Sequence, residues 1–258
     1  VLVALASAKG SPGVTTTARV MASVWPGGAV LADADPAGGD VAFVARSAQG
    51  GGPLDPDRGL LSLAVEARRG VEGVSLDPHL QVTDGGLPVL AGIARPDQVA
   101  GMGPVWPAVG SVLAAHPGDV VVDVGRLSVG SPVLPVVAAA DALVLLVRPR
   151  VEAYAHLRER LAWLASLGTA GAFPSVGVAV LTDARDSRSS RELADLLAHS
   201  GLAVPVIGTV AEDPRAADVI GGRKDRPVAR SLLVRSVRQL TTVVRSVRVD
   251  ARDRGALR

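Results

Sequence analysis

Apolar residues follow two patterns along the chain: short unbroken runs, and longer stretches where they recur every three or four positions. The runs VLVALA (1–6), AVLAD (29–33), DVVVDV (119–124), ALVLLV (142–147), VGVAVL (176–181) and VPVIGTV (204–210) have strand length and many β-branched residues. They lack polar alternation, so they read as strands covered on both faces. Helix-spaced segments lie between them, at 15–25, 60–69, 132–140, 152–167 and 189–200. Alternation of this kind predicts an α/β fold: a mostly parallel, doubly wound sheet with helices on both faces. Residues 80–92 offer one more strand, and 48–59, rich in Gly, Pro and Asp, reads as a surface loop. Pro104 and Pro107 divide a helical stretch at 98–116. There is no internal repeat and no linker, so 1–258 is expected to form one domain.

The last helix, 229–249, carries Leu233, Val237, Leu240, Val244 and Val247 at steps of four, three, four and three. That single stripe has no aromatic anchor, and short Val side chains are poor membrane wedges, so it is expected to pack on the sheet. Charge adds a second feature to this region. Residues 215–258 hold twelve basic and four acidic side chains, whereas the rest of the chain is net acidic. A solvated helix face explains this most simply; contact with duplex DNA or an anionic membrane is the functional alternative.

Composition removes several chemistries. Without cysteine there are no disulfides, thiolate metal sites or cysteine-bound clusters. His79, His116, His156 and His199 are dispersed, which disfavours zinc, and no G-x-S-x-G elbow supports a hydrolase triad. Six aromatic residues are too few for single-strand recognition by stacking. The first apolar run is too short for a signal peptide or membrane span, so a cytoplasmic location is expected, with peripheral attachment to nucleoid or membrane as an extension.

The candidate chemistry lies at 6–17, ASAKGSPGVTTT. A phosphate loop needs a strand that ends abruptly, glycines that let backbone approach an anion, and a helix whose free N–H groups point at it. All three occur in order here. The common pattern G-x-x-x-x-G-K-[ST] nevertheless fails, because Val14 stands where its lysine belongs. Only Lys9 and Lys224 are lysines among 27 basic residues, so a lysine within this loop stands out.

AKGSPGVTTTA resembles the deviant Walker A loop of the ParA/MinD family, K-G-G-x-G-K-[ST]-[ST], with Lys9 at the signature lysine. LADADPAGGD (31–40) is similar to its switch I, DVVVDVGRL (119–127) to its Walker B and switch II, and ADALVLLVRPRVEA (140–153) to its strand ending in Pro near adenine. VIGTVAEDPRAADV (206–219) resembles the late strand and turn before the last helix. Within the family, the nearer resemblance is to divergent septum-site and pilus-assembly proteins. The resemblance implies an ATP-dependent homodimer, bound to DNA or membrane, that positions a larger protein assembly. Lys9 would reach the partner's nucleotide; Gly10, Gly13 and the Ser11 backbone would cradle phosphates. Thr15 would ligate Mg²⁺ with Thr16 beside it, Asp35 would orient the attacking water, Asp123 would stand near the metal, Gly125 would offer its N–H to the γ-phosphate, and Pro149 would lie by the base.

Val14 departs from that pattern. It removes the in-subunit lysine, whose charged contact is worth roughly 1.5–3 kcal/mol, or about 10- to 150-fold in affinity. Pro12 removes an N–H donor, and near Thr182 and Asp183 no asparagine stands ready for adenine. The expectation is a degenerate nucleotide-binding protein for positioning or scaffolding, with ATP·Mg²⁺ binding weakened or lost and hydrolysis weak or absent. The alternatives are a working ATPase that recruits Lys9 or an arginine (Arg19 or Arg126), and a metabolic ligase on the same fold.

Overall fold

The structure, a computed structural model, describes residues 1–167 and 174–255, without the side chains of Pro96 and of 247–255. Eight strands form one sheet: β1 (Leu2–Ser7), β2 (Ala29–Asp33), β3 (Gln81–Val82), β4 (Pro88–Leu90), β5 (Asp119–Arg126), β6 (Ala142–Val147), β7 (Ser175–Thr182) and β8 (Val206–Ala211). Their order is β3-β4-β2-β5-β1-β6-β7-β8, all parallel except the β3–β4 pair. The helices are α1 (Val14–Ser23), α2 (Val41–Val44), α3 (Leu60–Ala67), α4 (Pro96–Met102), α5 (Trp106–Ala115), α6 (Leu134–Ala138), α7 (Val151–Leu167), α8 (Ser189–His199), α9 (Pro214–Ile220) and α10 (Leu232–Gly255).

Strand β1 shows why unbroken apolar runs become central strands. Its side chains alternate between two cores, as period-2 geometry requires: Leu2, Ala4 and Ala6 join one cluster, Val3 and Leu5 the other. α3 and α5–α8 cover the first face, and α1, α2, α9 and α10 the second. From β1 the chain first winds outward to β2, β3 and β4; it then returns through β5 and continues to β6, β7 and β8 on the opposite side. Direction therefore reverses around β1, and the carboxyl ends of the strands beside that point are where such sheets bind ligands.

Several sequence expectations need correction. β8 starts at Val206 rather than 204, because Pro205 has no N–H to pair. It is also an edge strand, so only Val210 and Ala211 are fully buried instead of both its faces being covered. Residues 80–92 hold two short strands joined by a tight turn at Gly86, whose φ is 78°. The stretch 98–116 splits into α4, a 3₁₀ turn at Gly103–Val105 and α5, with a proline in the first turn of each piece. α6 is shorter than 132–140. α10 begins at Leu232, after Ser231 Oγ accepts the Val234 N–H at 3.2 Å. Leu233, Val237, Leu240 and Val244 pack inward as the stripe predicts, whereas Val247 lies outside the described side chains. Among the described residues, no helix is long and apolar enough to cross a membrane.

Candidate functional site

The loop after β1 is shaped by backbone rather than by side chains. Ser7 Oγ donates to the Gly10 carbonyl at 3.2 Å, turning the chain, and Gly10 and Gly13 take positive φ values of 69° and 89°. Gly13 immediately precedes α1, and no side chain caps that helix. The first-turn N–H groups therefore have no partner within the helix and, with the helix dipole, form a ready anion seat. Thr17 is buried and donates its hydroxyl to the Gly13 carbonyl at 2.8 Å, which leaves half-buried Thr15 and Thr16 nearer the surface. Ser11 is exposed and Pro12 buried.

Val14 opens α1 with only 6% exposure and packs into the apolar cluster on that face of the sheet. Its side chain has become core, and neither arginine suggested as a substitute cation takes its place. Arg19 donates to the Ile220 carbonyl at the end of α9, and Arg126 is exposed near Arg160 of α7. Lys9 is exposed, with Nζ 3.2 Å from His156 Nε2 on α7.

The acidic residues converge at the ends of β2 and β5. Asp33 and Asp123 pair in register on these neighbouring strands, and both are almost completely buried. Asp33 Oδ2 accepts the Val41 N–H at 3.1 Å, and Asp123 Oδ1 accepts the Gly125 N–H at 2.9 Å. Asp123 Oδ2 is buried with no hydrogen-bond partner among the described residues; the Thr15 hydroxyl lies near enough to favour its anion but not in bonding geometry to Oδ2. Burial pushes the proton affinity of both carboxyls up, and for Asp33 the charge of Asp123 adds to the effect. Asp35 is also raised by burial, opposed by the Ala37 N–H, and its carboxylate rests against the α-carbon of Gly125. Gly39 and Gly92 pack equally closely on Asp33.

Beside the loop lies a cavity of about 300 Å³, walled by Gly13, Thr16, Arg148, Leu181 and Glu212. Arg148 pairs with Glu212 across the ends of β6 and β8. Thr182 Oγ1 donates to Asp186 Oδ2 at 2.6 Å, so this strand end is committed within the protein. Thus Thr15, Asp35, Asp123 and Gly125 come together, and Gly13 and Thr16 reach the cavity. Lys9 leans away to α7, while Pro149 is exposed and outside the cavity wall. Sequence reasoning missed the Arg148–Glu212 pair; its only trace is a charged residue placed directly after each of two apolar strands.

Nucleotide with Mg²⁺ fits these groups in part. The glycine-shaped loop, the uncapped helix and the unpartnered Asp123 oxygen suit a metal-bound phosphate, whereas Val14 supplies no charge. Among the described residues no three His, Asp or Glu side chains form a metal cage.

The fold is of the α/β P-loop NTPase type. More narrowly, the chain has the fold of the MinD and ParA ATPases. It superposes on a ParA family ATPase from Chlorobium tepidum with a TM-score of 0.71 at 19% identity, covering 93% of this chain and 97% of that one. The cell division ATPase MinD of Pyrococcus furiosus gives 0.70 at 17% identity, over 95% and 98% of the two chains. The septum site-determining protein MinD of Pyrococcus horikoshii, complexed with Mg-ADP, gives 0.67 at 16% over 94% and 95%. Neither a family model nor a curated protein matches the sequence.

Proposed function

We propose that this chain is a divergent ParA/MinD-family protein that binds ATP and Mg²⁺ weakly and acts as a positioning or scaffolding factor with little or no hydrolysis. The observation that carries this reading is the buried, unpartnered Asp123 Oδ2 beside Thr15, at the open N-terminus of α1. An orphaned buried carboxylate oxygen is costly, and a metal ion is the partner that best repays the cost. The Mg-ADP held by the similar MinD structure supports the same ligand class.

In this reading the backbone of Gly10, Ser11 and Gly13, with the first turn of α1, cradles phosphates. Thr15 and Asp123 hold Mg²⁺ and Thr16 lies beside them. Gly125, whose amide is given to Asp123 Oδ1 in this structure, would have to release that bond to offer its N–H to the terminal phosphate, and Asp35, pinned against it, orients water. Pro149 borders the base end from outside the cavity, and Lys9 leaves His156 to meet a second copy. Bound Mg²⁺ would supply the positive charge that the acidic cluster lacks, and the triphosphate the phosphoryl group. Charge stabilisation is the main catalytic resource in phosphoryl transfer, so a loop with Val14 at the lysine place turns over slowly at best. Function then rests on nucleotide occupancy, dimer formation and contact with a larger protein assembly in division, partitioning or pilus placement. The basic face of α10 is available to DNA or anionic lipid.

Titration with fluorescent ATP and Mg²⁺, followed by phosphate release, tests this proposal. Saturable binding without turnover is expected. Steady turnover that Lys9→Ala abolishes would favour the working ATPase, and no binding at millimolar nucleotide would overturn the reading.

A further inference from the structure

A second cavity, about 530 Å³, lies away from the phosphate loop, between α1, α2, the β3–β4 hairpin and the turn that follows α9. Four cationic side chains line it, Arg19, Arg46, Arg223 and Lys224, against two carboxylates, Asp84 and Asp225. Arg223 and Lys224 also reach outward to Asp218, at 3.0 and 2.7 Å. Arg46 makes only a long contact to the Gly51 carbonyl, at 3.4 Å.

Arg19 is the telling residue. It is half-buried, and its hydrogen bond to the Ile220 carbonyl uses one donor of the five that a guanidinium carries. No carboxylate lies within ion-pair distance of it among the described residues; Asp33 and Asp84 act on it only from further off. A desolvated guanidinium without a nearby counter-ion is unfavourable, and an anion in the adjoining cavity would relieve it.

We propose that this cavity is a ligand site separate from the phosphate loop, taking a small phosphate- or carboxylate-bearing anion, with Arg19 at its base and Arg46, Arg223 and Lys224 at its rim. The cavity adjoins the segment that follows Asp33 in the proposed nucleotide site. α2 hangs from Asp33 through the Val41 N–H, and Gly222, with φ 72°, lies so near the Val44 carbonyl at the other end of that helix that a side chain there would clash with it. Arg223 lines both cavities. An anion here would therefore draw Arg223 from Asp218 and bear on the segment after Asp33. The site goes beyond the nucleotide reading, and anion binding can be measured whether or not ATP binds.

The test is calorimetric titration of the full chain with pyrophosphate and, in parallel, with citrate. The loop also attracts anions, so each probe is run against Arg19→Gln, Arg46→Gln and Thr15→Ala. Binding of either probe that weakens about tenfold or more in the two arginine variants, yet survives Thr15→Ala, is the expected result. Binding lost only in Thr15→Ala, or unchanged in both arginine variants, or absent at millimolar probe, overturns the proposal. Should Arg19→Gln fail to fold, Arg46→Gln and Lys224→Gln decide the question, because both side chains are exposed.

Discussion

Gly125 and Asp35 are fitted to each other: a methyl group on the Gly125 α-carbon would overlap both carboxylate oxygens of Asp35. The contact joins the end of β5 to the segment after β2, and Gly125 holds a φ of 61° that side chains resist. Gly125→Ala should therefore displace Asp35 and cost about 1–3 kcal/mol, from backbone strain and the clash together. Urea denaturation measures the loss. An unchanged midpoint would mean that Asp35 moves aside freely and is not held for a task.

Placing a cation at position 14 is the most direct probe of the loop. Val14→Lys should strengthen nucleotide binding by about 10- to 150-fold, the worth of one charged hydrogen bond. The same change gives up the burial of a valine, so about 1–2 kcal/mol of stability should be lost. Fluorescent-ATP titration reads the first effect and denaturation the second. Affinity that stays flat would separate this loop from nucleotide altogether.

Asp33 makes stability depend on pH in a definite direction. Burial raises its native pKa above that of the unfolded chain. Its contribution is thus fully present below the ordinary carboxylate value, near about 4, and is lost as pH rises from there through the raised native value. Asn at this position still offers an oxygen to the Val41 N–H. Asp33→Asn should flatten the profile and exceed the parent by about 1 kcal/mol or more at mildly alkaline pH, with EDTA present. A parent profile that gains stability across neutrality would reverse the sign and refute the assignment.

The two faces of α10 should respond differently. Leu240 is 2% exposed against β8, so Leu240→Ala should cost about 2–5 kcal/mol. Arg238 is exposed, and Arg238→Ala should stay within about 0.5 kcal/mol. If Arg238→Ala also lowers retention of duplex DNA or anionic vesicles while leaving the melting temperature alone, the outer face has a binding role. Equal destabilisation by both variants would contradict the inward stripe.

The parts of the fold that the sequence revealed are those where one residue type has one physical meaning. Unbroken apolar runs became β1, β2, β5, β6 and β7 because burial on both faces favours apolar side chains and leaves polar ones, such as Asp33 and Asp123, toward the strand ends. The edge strand β8 was less legible, since half-exposed positions can hold almost any residue. Glycines 10 and 13, followed by threonines, marked the loop. Clustering of Asp35 with Gly125 was not readable: it depends on which strands lie side by side, and 90 residues separate the two. The cavity around Arg19 was equally hidden, because the segments that wall it meet only after α2, the β3–β4 hairpin and the turn beyond α9 have assembled.

Val14 has one further consequence. A side chain absorbed into the interior is guarded by all its neighbours, so any charged replacement there must first loosen the scaffold that holds the loop. The architecture itself therefore disfavours charge at the place where a common phosphate loop carries its lysine.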